Sequence, residues 1–181
     1  MPNILRQLPR SPIFLGSVNQ LQNTPGRTPS PGHRRWTIIN TAAEIADVSL
    51  NVDERSWHLI VTNFGFDVPD AEDEFLPPGA AIRGIAVDLR TDARPGGQVI
   101  CESLHLTRDA QTRGRANKGN AIDFLPDFPP KGGPEDLWRE DWVPADIVSP
   151  NFGVILQWMN YQGPDPVYAE LHSVSVTVWY R

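Results

Sequence analysis

Residues 168–180 (YAELHSVSVTVWY) set Leu171, Val174, Val176, Val178 and Tyr180 mostly at even spacing, with Ser173, Ser175 and Thr177 between them. Apolar and polar side chains alternating at period two make a strand with one face buried and the other wet. The same period recurs upstream. Ala46, Val48, Leu50 and Val52 alternate with Asp47, Ser49, Asn51 and Asp53, and residues 56–66 (SWHLIVTNFGF) are rich in β-branched and aromatic side chains. Residues 80–90 (AAIRGIAVDLR) put Ala81, Ile85, Val87 and Leu89 on an apolar side that Arg83 interrupts. The turn-forming stretch 93–98 (ARPGGQ) predicts a hairpin returning along 99–108 (VICESLHLTR), and 152–161 (FGVILQWMNY) supplies another strand. Five or more strands with almost no helical signal predict an all-β fold, an antiparallel β-sandwich that is jelly-roll-like.

Outward from this body the composition breaks near residue 43. Residues 1–43 hold Arg6, Arg10, Arg27, Arg34 and Arg35 and no acidic side chain. The net charge of −6 therefore leaves about −11 for residues 44–181. Pro2, Pro9, Pro12, Pro25, Pro29 and Pro31 punctuate the same segment, which excludes a long helix. Residues 1–35 are expected to be an extended basic arm, and 36–181 the β-sandwich domain. Arg6, Arg10, Arg34 and Arg35, with the apolar run Pro12, Ile13, Phe14 and Leu15, are its candidate anchoring residues, and 24–33 (TPGRTPSPGH) reads as linker. Such an arm either docks on a partner or wraps its own domain.

The 181 residues suffice for one good core. No apolar run reaches the roughly 18–20 residues of a membrane-spanning helix, and no apolar h-region precedes a small-residue cleavage site. A membrane partner and a secretory leader are therefore not expected, and folding in a reducing cytoplasm is. The single Cys101 excludes an internal disulfide and reads as a buried thiol.

Chemistry-bearing constellations are sparse. His33, His58, His105 and His172 show no metal-ligand spacing, although His58 and His172 fall in strands that could meet across a sheet. Glu72-Asp73-Glu74 and Glu135-Asp136 offer calcium-type donors outside any calcium-loop pattern. No cofactor and no metal are expected. Asp88 and Glu102, on adjacent predicted strands, form a carboxylate pair that on paper suits glycoside hydrolysis. Any acidic sandwich offers such pairs, so an enzyme is not expected. The acidic body disfavours nucleic acid as a partner. Among six tryptophans, Trp57, Trp158 and Trp179 are assigned to core or sheet-edge packing. Asp136 and Trp138 lie in the long irregular stretch 112–141 and Trp142 directly follows it. With Phe124 and Phe128 these aromatics mark the loop as packed, the two tryptophans either buried in that packing or exposed as faces for a glycan or a neighbouring subunit. Residues 143–149 (VPADIVS) predict one helical turn with Pro144 at its first position.

Taken together, residues 57–69 (WHLIVTNFGFDVP), 79–87 (GAAIRGIAV), 132–138 (GGPEDLW), 145–156 (ADIVSPNFGVIL) and 174–180 (VSVTVWY) resemble a small β-sandwich domain of tailed-bacteriophage virion proteins and related bacterial surface proteins. The motifs are structural: Gly65, Gly84, Gly132 and Gly133 suit bulges, turns and close backbone approach, and Pro69 ends a strand. Trp138-Arg139 departs from the pattern, which has Trp-Gly there. The resemblance implies a non-enzymatic virion structural protein, a head decoration, fibre base or tail component. Its partners would be capsid or tail subunits and further copies of itself, and its location the virion. The alternative expectation is a carbohydrate-binding or adhesion module recognising host surface glycans.

Overall fold

A computed structural model describes residues 3–6, 17–21, 32–39, 44–66, 76–95 and 98–181. In chain order the elements are β1 (Asn3–Arg6), β2 (Ser17–Leu21), β3 (His33–Arg34), β4 (Thr37–Ile38), β5 (Ala46–Leu50), β6 (Arg55–Ser56), β7 (His58–Thr62), β8 (Ile82–Arg94), β9 (Val99–Thr107), β10 (Lys131–Gly133), the single helical turn α1 (Pro144–Ile147), β11 (Gly153–Asn160) and β12 (Val167–Tyr180). They form two sheets. One runs β10-β8-β12-β5-β4, with β1 also on β12; the other runs β2-β7-β11-β6-β3, with β9 also on β11.

The chain crosses between sheets at almost every connection of the long strands, as in a jelly roll. The stretch at 93–98 is accordingly not a hairpin: β8 pairs with β12 and β9 with β11, in different sheets. The two sheets share one core. Val48, Leu50, Ile85, Val87, Leu89, Val174, Val176 and Val178 from the first meet Leu59, Val61, Leu104, Leu106, Val154, Leu156 and Trp158 from the second. Each such aliphatic side chain contributes about 1.5–3 kcal/mol by leaving water.

Two register shifts explain why the alternation in the sequence is imperfect. Tyr180 pairs with Ile82 and Trp179 with Gly84, so Arg83 is the extra residue of a bulge. The bulge resets the parity of β8: Ile82 and Ile85 are both buried while Arg83 is exposed. A second shift between Leu171 and Ser173 does the same for β12, whose buried set runs Val167, Ala169, Leu171 and then Val174, Val176, Val178. Bulges re-aim side chains in this way. β11 is buried along its whole length, which is why its sequence is a continuous apolar run rather than an alternating one.

Strand pairing reaches into the leading segment. β1 pairs antiparallel with residues 177–180 of β12, and β2 with residues 58–62 of β7. β3 pairs in parallel with β6, so His33 and Arg34, expected in the arm, stand in a sheet of the body.

Candidate functional site

The segment between β9 and β11 is tied to both sheets, to β9 in one and to β8 in the other. Its first half runs beside β9: the N–H groups of Gly114, Lys118, Asn120 and Leu125 donate to the carbonyls of Leu106, Leu104, Cys101 and Val99. This covers an edge that would otherwise present unpaired backbone groups. The second half enters as β10, pairs with β8, and turns through residues 134–137 into Trp138.

Trp138 is 1% exposed. Its indole Nε1 donates to the Ile85 carbonyl at 2.8 Å, and its backbone N–H donates to Asp136 Oδ1 at 2.9 Å. Lys118 closes the outside, with its Nζ 2.5 Å from Asp136 Oδ2 and 5.1 Å from the centre of the indole ring. Burial alone would raise the Asp136 carboxyl, but these two hydrogen bonds outweigh it and hold the group below its ordinary range. Gly132 makes room for the plug. Its φ is +91°, and a Cβ there would lie 2.1 Å from Ile85 O and 2.7 Å from Trp138 Nε1. Gly84 lets β10 approach β8 as closely, since its Cβ would meet Gly133 O at 2.1 Å.

Trp142 is 7% exposed. Its Nε1 donates to Leu137 O at 2.9 Å, Phe152 meets it edge-on at 5.5 Å between centroids, and the Arg108 guanidinium lies 4.6 Å from its ring centre. Of the two readings of Trp138 and Trp142, core packing and exposed stacking faces, the structure has the first: both rings are spent on the fold. Asp136 is partly exposed but committed to Lys118 and the Trp138 backbone.

An open groove of about 1030 Å³ lies beside this plug, lined by Arg83, Pro134, Glu135, Asp136, Leu137, Trp179 and Arg181. Trp179, assigned from the sequence to packing, is half-buried here. The signal was legible: Trp179 follows Ser175 and Thr177 at period two, on the wet side of the strand. An indole face flanked by two guanidiniums and two carboxylates is a surface that can stack on and hydrogen-bond a polyhydroxylated ring.

The other sequence-derived candidates separate. Arg6 is the last residue of β1; Arg10, Pro12, Ile13, Phe14 and Leu15 lie outside the described residues, as do Glu72, Asp73, Glu74 and Pro69. Arg34 forms a two-pronged pair with Glu54 at 2.6 and 2.7 Å, which holds Glu54 below its ordinary range. Arg35 sits 5.6 Å from the centre of the Trp57 ring. Both arginines are therefore engaged within the chain. Asp88 and Glu102 do not form a carboxylate pair, because β8 and β9 belong to different sheets, and Glu102 is gripped by Arg55 at 2.7 and 2.8 Å. His58 and His172 are likewise on different sheets. His58 instead lies against Arg113, 3.2 Å from Nε2 to Nη1, and His105 Nδ1 is 2.8 Å from Gly114 O.

Comparison with protein-family models, with curated proteins and with solved structures returned no match.

Proposed function

We propose that this chain is a non-enzymatic structural protein of a tailed-phage particle, an acidic β-sandwich joined to its neighbours by the basic N-terminal arm. The observation that carries the reading is the behaviour of the arm's two strands. β1 pairs with residues 177–180 of the central strand β12, a stretch beyond the 167–171 that β5 covers, and β2 adds to β7 at the end of the other sheet. Strand addition of this kind draws its affinity from main-chain hydrogen bonds. Those bonds form equally well when the strand comes from another copy of the chain, the basis of arm exchange in repeated assemblies. The charge difference between arm and body favours such an encounter between copies. Burial of Trp138 and Trp142 supports scaffold over sugar at that loop.

The test compares the full chain with one starting at Gly32, which keeps β3 and the Arg34–Glu54 pair. Light scattering gives the mass of each and circular dichroism its fold. The expected result is a defined oligomer for the full chain and a folded monomer for the shortened one. Two identical monomers would remove the assembly role of the arm.

The groove at Trp179 favours a second reading, an adhesion module for host surface glycans. Its test is a glycan array with the full chain beside Trp179→Ala. Loss of signal in the variant supports it, and no signal from either chain excludes it.

A further inference from the structure

The outer face of the β8–β12–β5 sheet carries a cluster that the particle reading does not use. Glu170 on β12 is the register partner of Asp92 on β8 and of Asp47 on β5. Three carboxylates thus stand in a row across three neighbouring strands, an arrangement that like-charge repulsion opposes. Glu44 lies near the same row; burial and the charges of Glu170 and Asp47 push its carboxyl up.

The bulge between Leu171 and Ser173 adds a different kind of donor. His172, the extra residue of the bulge between the Leu171–Thr91 and Ser173–Arg90 pairs, turns its imidazole toward the row, with Nε2 3.6 Å from Glu170 Oε2. One donor atom each from Asp92, Glu170 and His172 lie within 4.8 Å of one another, and all three residues are half-buried. Around a zinc-type ion with bonds of about 2.0–2.2 Å, ligand atoms stand roughly 3–3.5 Å apart. Seating such an ion draws the donor atoms of the triad closer together. We propose that Asp92, Glu170 and His172 form a binding site for a divalent transition-metal ion of the Zn²⁺ class, with two carboxylates and one imidazole as protein ligands and the remaining positions open to water.

The resident counter-charge is Arg94. Its Nε lies 2.8 Å from Asp92 Oδ2 and its Nη2 3.8 Å from Glu170 Oε2, yet its side chain is 67% exposed. A surface guanidinium held this way is a weak competitor, and an ion entering the triad displaces it outward into solvent. Imidazole in the donor set favours Zn²⁺ over Mg²⁺ or Ca²⁺, which prefer all-oxygen shells.

The competition between Arg94 and the ion makes the test specific. Chelator-treated full-length protein is titrated with ZnCl₂ by isothermal calorimetry, beside His172→Ala, Arg94→Gln and, on the same face but outside the triad, Asp88→Asn. Circular dichroism establishes that each variant is folded. The expected result is saturable binding of one ion per chain that weakens at least tenfold in His172→Ala, tightens at least threefold in Arg94→Gln and stays unchanged in Asp88→Asn. No saturable heat at millimolar Zn²⁺ would overturn the proposal. So would binding that His172→Ala leaves intact, or binding seen only after Arg94 is removed.

Discussion

The indole Nε1 of Trp138 donates to the carbonyl of Ile85 at 2.8 Å, and Gly132 is the residue whose missing side chain lets them meet. Ile85 is on β8 and Gly132 on β10, so one contact fixes the loop, the edge strand and the core together. Gly132→Ala places a methyl group 2.1 Å from Ile85 O at a φ of +91°. The atoms it would meet belong to backbone and to a buried indole, not to the far end of a flexible side chain. The variant should lose about 2–4 kcal/mol of stability, combining overpacking with backbone strain. Trp138→Phe should lose about 1–3 kcal/mol by leaving a buried acceptor short of its donor. Urea denaturation followed by circular dichroism checks both.

Arg139 follows the plug with a φ of 59°, and Trp138 itself has a φ of 55°. The left-handed region suits glycine and costs an ordinary L-residue about 1–2 kcal/mol. Glycine is also what the resembled motif has after its tryptophan. The side chain of Arg139 is exposed, so truncating it sacrifices little. Arg139→Gly should therefore raise stability by about 0.5–1 kcal/mol, the strain relief less the extra chain entropy of glycine. A lower urea midpoint in Arg139→Gly would refute this.

Most long strands were legible because one face of each is wet, and alternation writes that face into the sequence. β5 and most of β12 are of this kind. Legibility failed where pairing geometry, rather than burial, decides. The bulges at Arg83 and His172 break the period without any local marker except the neighbouring Gly84. The stretch 93–98 signals a reversal, but a turn does not specify which sheet receives the next strand, and here β9 finds its partner in β11. That single misassignment created the apparent Asp88–Glu102 pair. The aromatic loop was recognised as packed, whereas the exposure of its rings depends on long-range contacts with Ile85 and Phe152 that no local pattern encodes. Trp179, read as core or sheet-edge packing, is half-buried: the period-two parity that places it on the wet side was readable, whereas the groove beside it depends on residues 134–137, far away in sequence.

Acid should weaken the fold in two separate windows. Burial, then the neighbouring charges of Arg113 and His105, depresses His58 from its ordinary 6.5 to about 4, and burial lowers His105 in the same direction. The folded state keeps these imidazoles neutral, so the unfolded chain takes up more protons as pH falls from 6.5 toward 4. Their contribution is fully present above 6.5 and is lost across that interval. Asp109 acts lower. Burial would raise it, but hydrogen bonds from Thr112, Gln111 and Thr107 prevail and bring it to about 2; its contribution is lost only as pH drops from 3.8 toward 2. Urea midpoints measured from pH 8 to pH 4 should decline below 6.5 and should decline less in His58→Gln. An equal slope in that variant would show that His58 is not responsible.

Cys101 offers a reporter of opening that needs no mutation. The thiol is fully buried on β9, 3.4 Å from the Ser103 carbonyl, and burial pushes it up to about 12. Only the thiolate attacks a disulfide reagent, and at pH 8 this sulfur is both protonated and screened from solvent. Reaction must therefore wait for an opening that separates β9 from β11 or removes the covering segment 114–125. Native protein should show no reaction with dithionitrobenzoate on the timescale of a free cysteine, and its slow labelling rate should rise with urea along the unfolding curve. Lys118→Ala and Gly132→Ala, which loosen the loop from opposite sides, should both accelerate labelling below the unfolding transition. If instead Cys101 reacts in the native protein as fast as a model thiol, the segment does not seal β9, and the packing of Trp138 that depends on it would have to be redrawn.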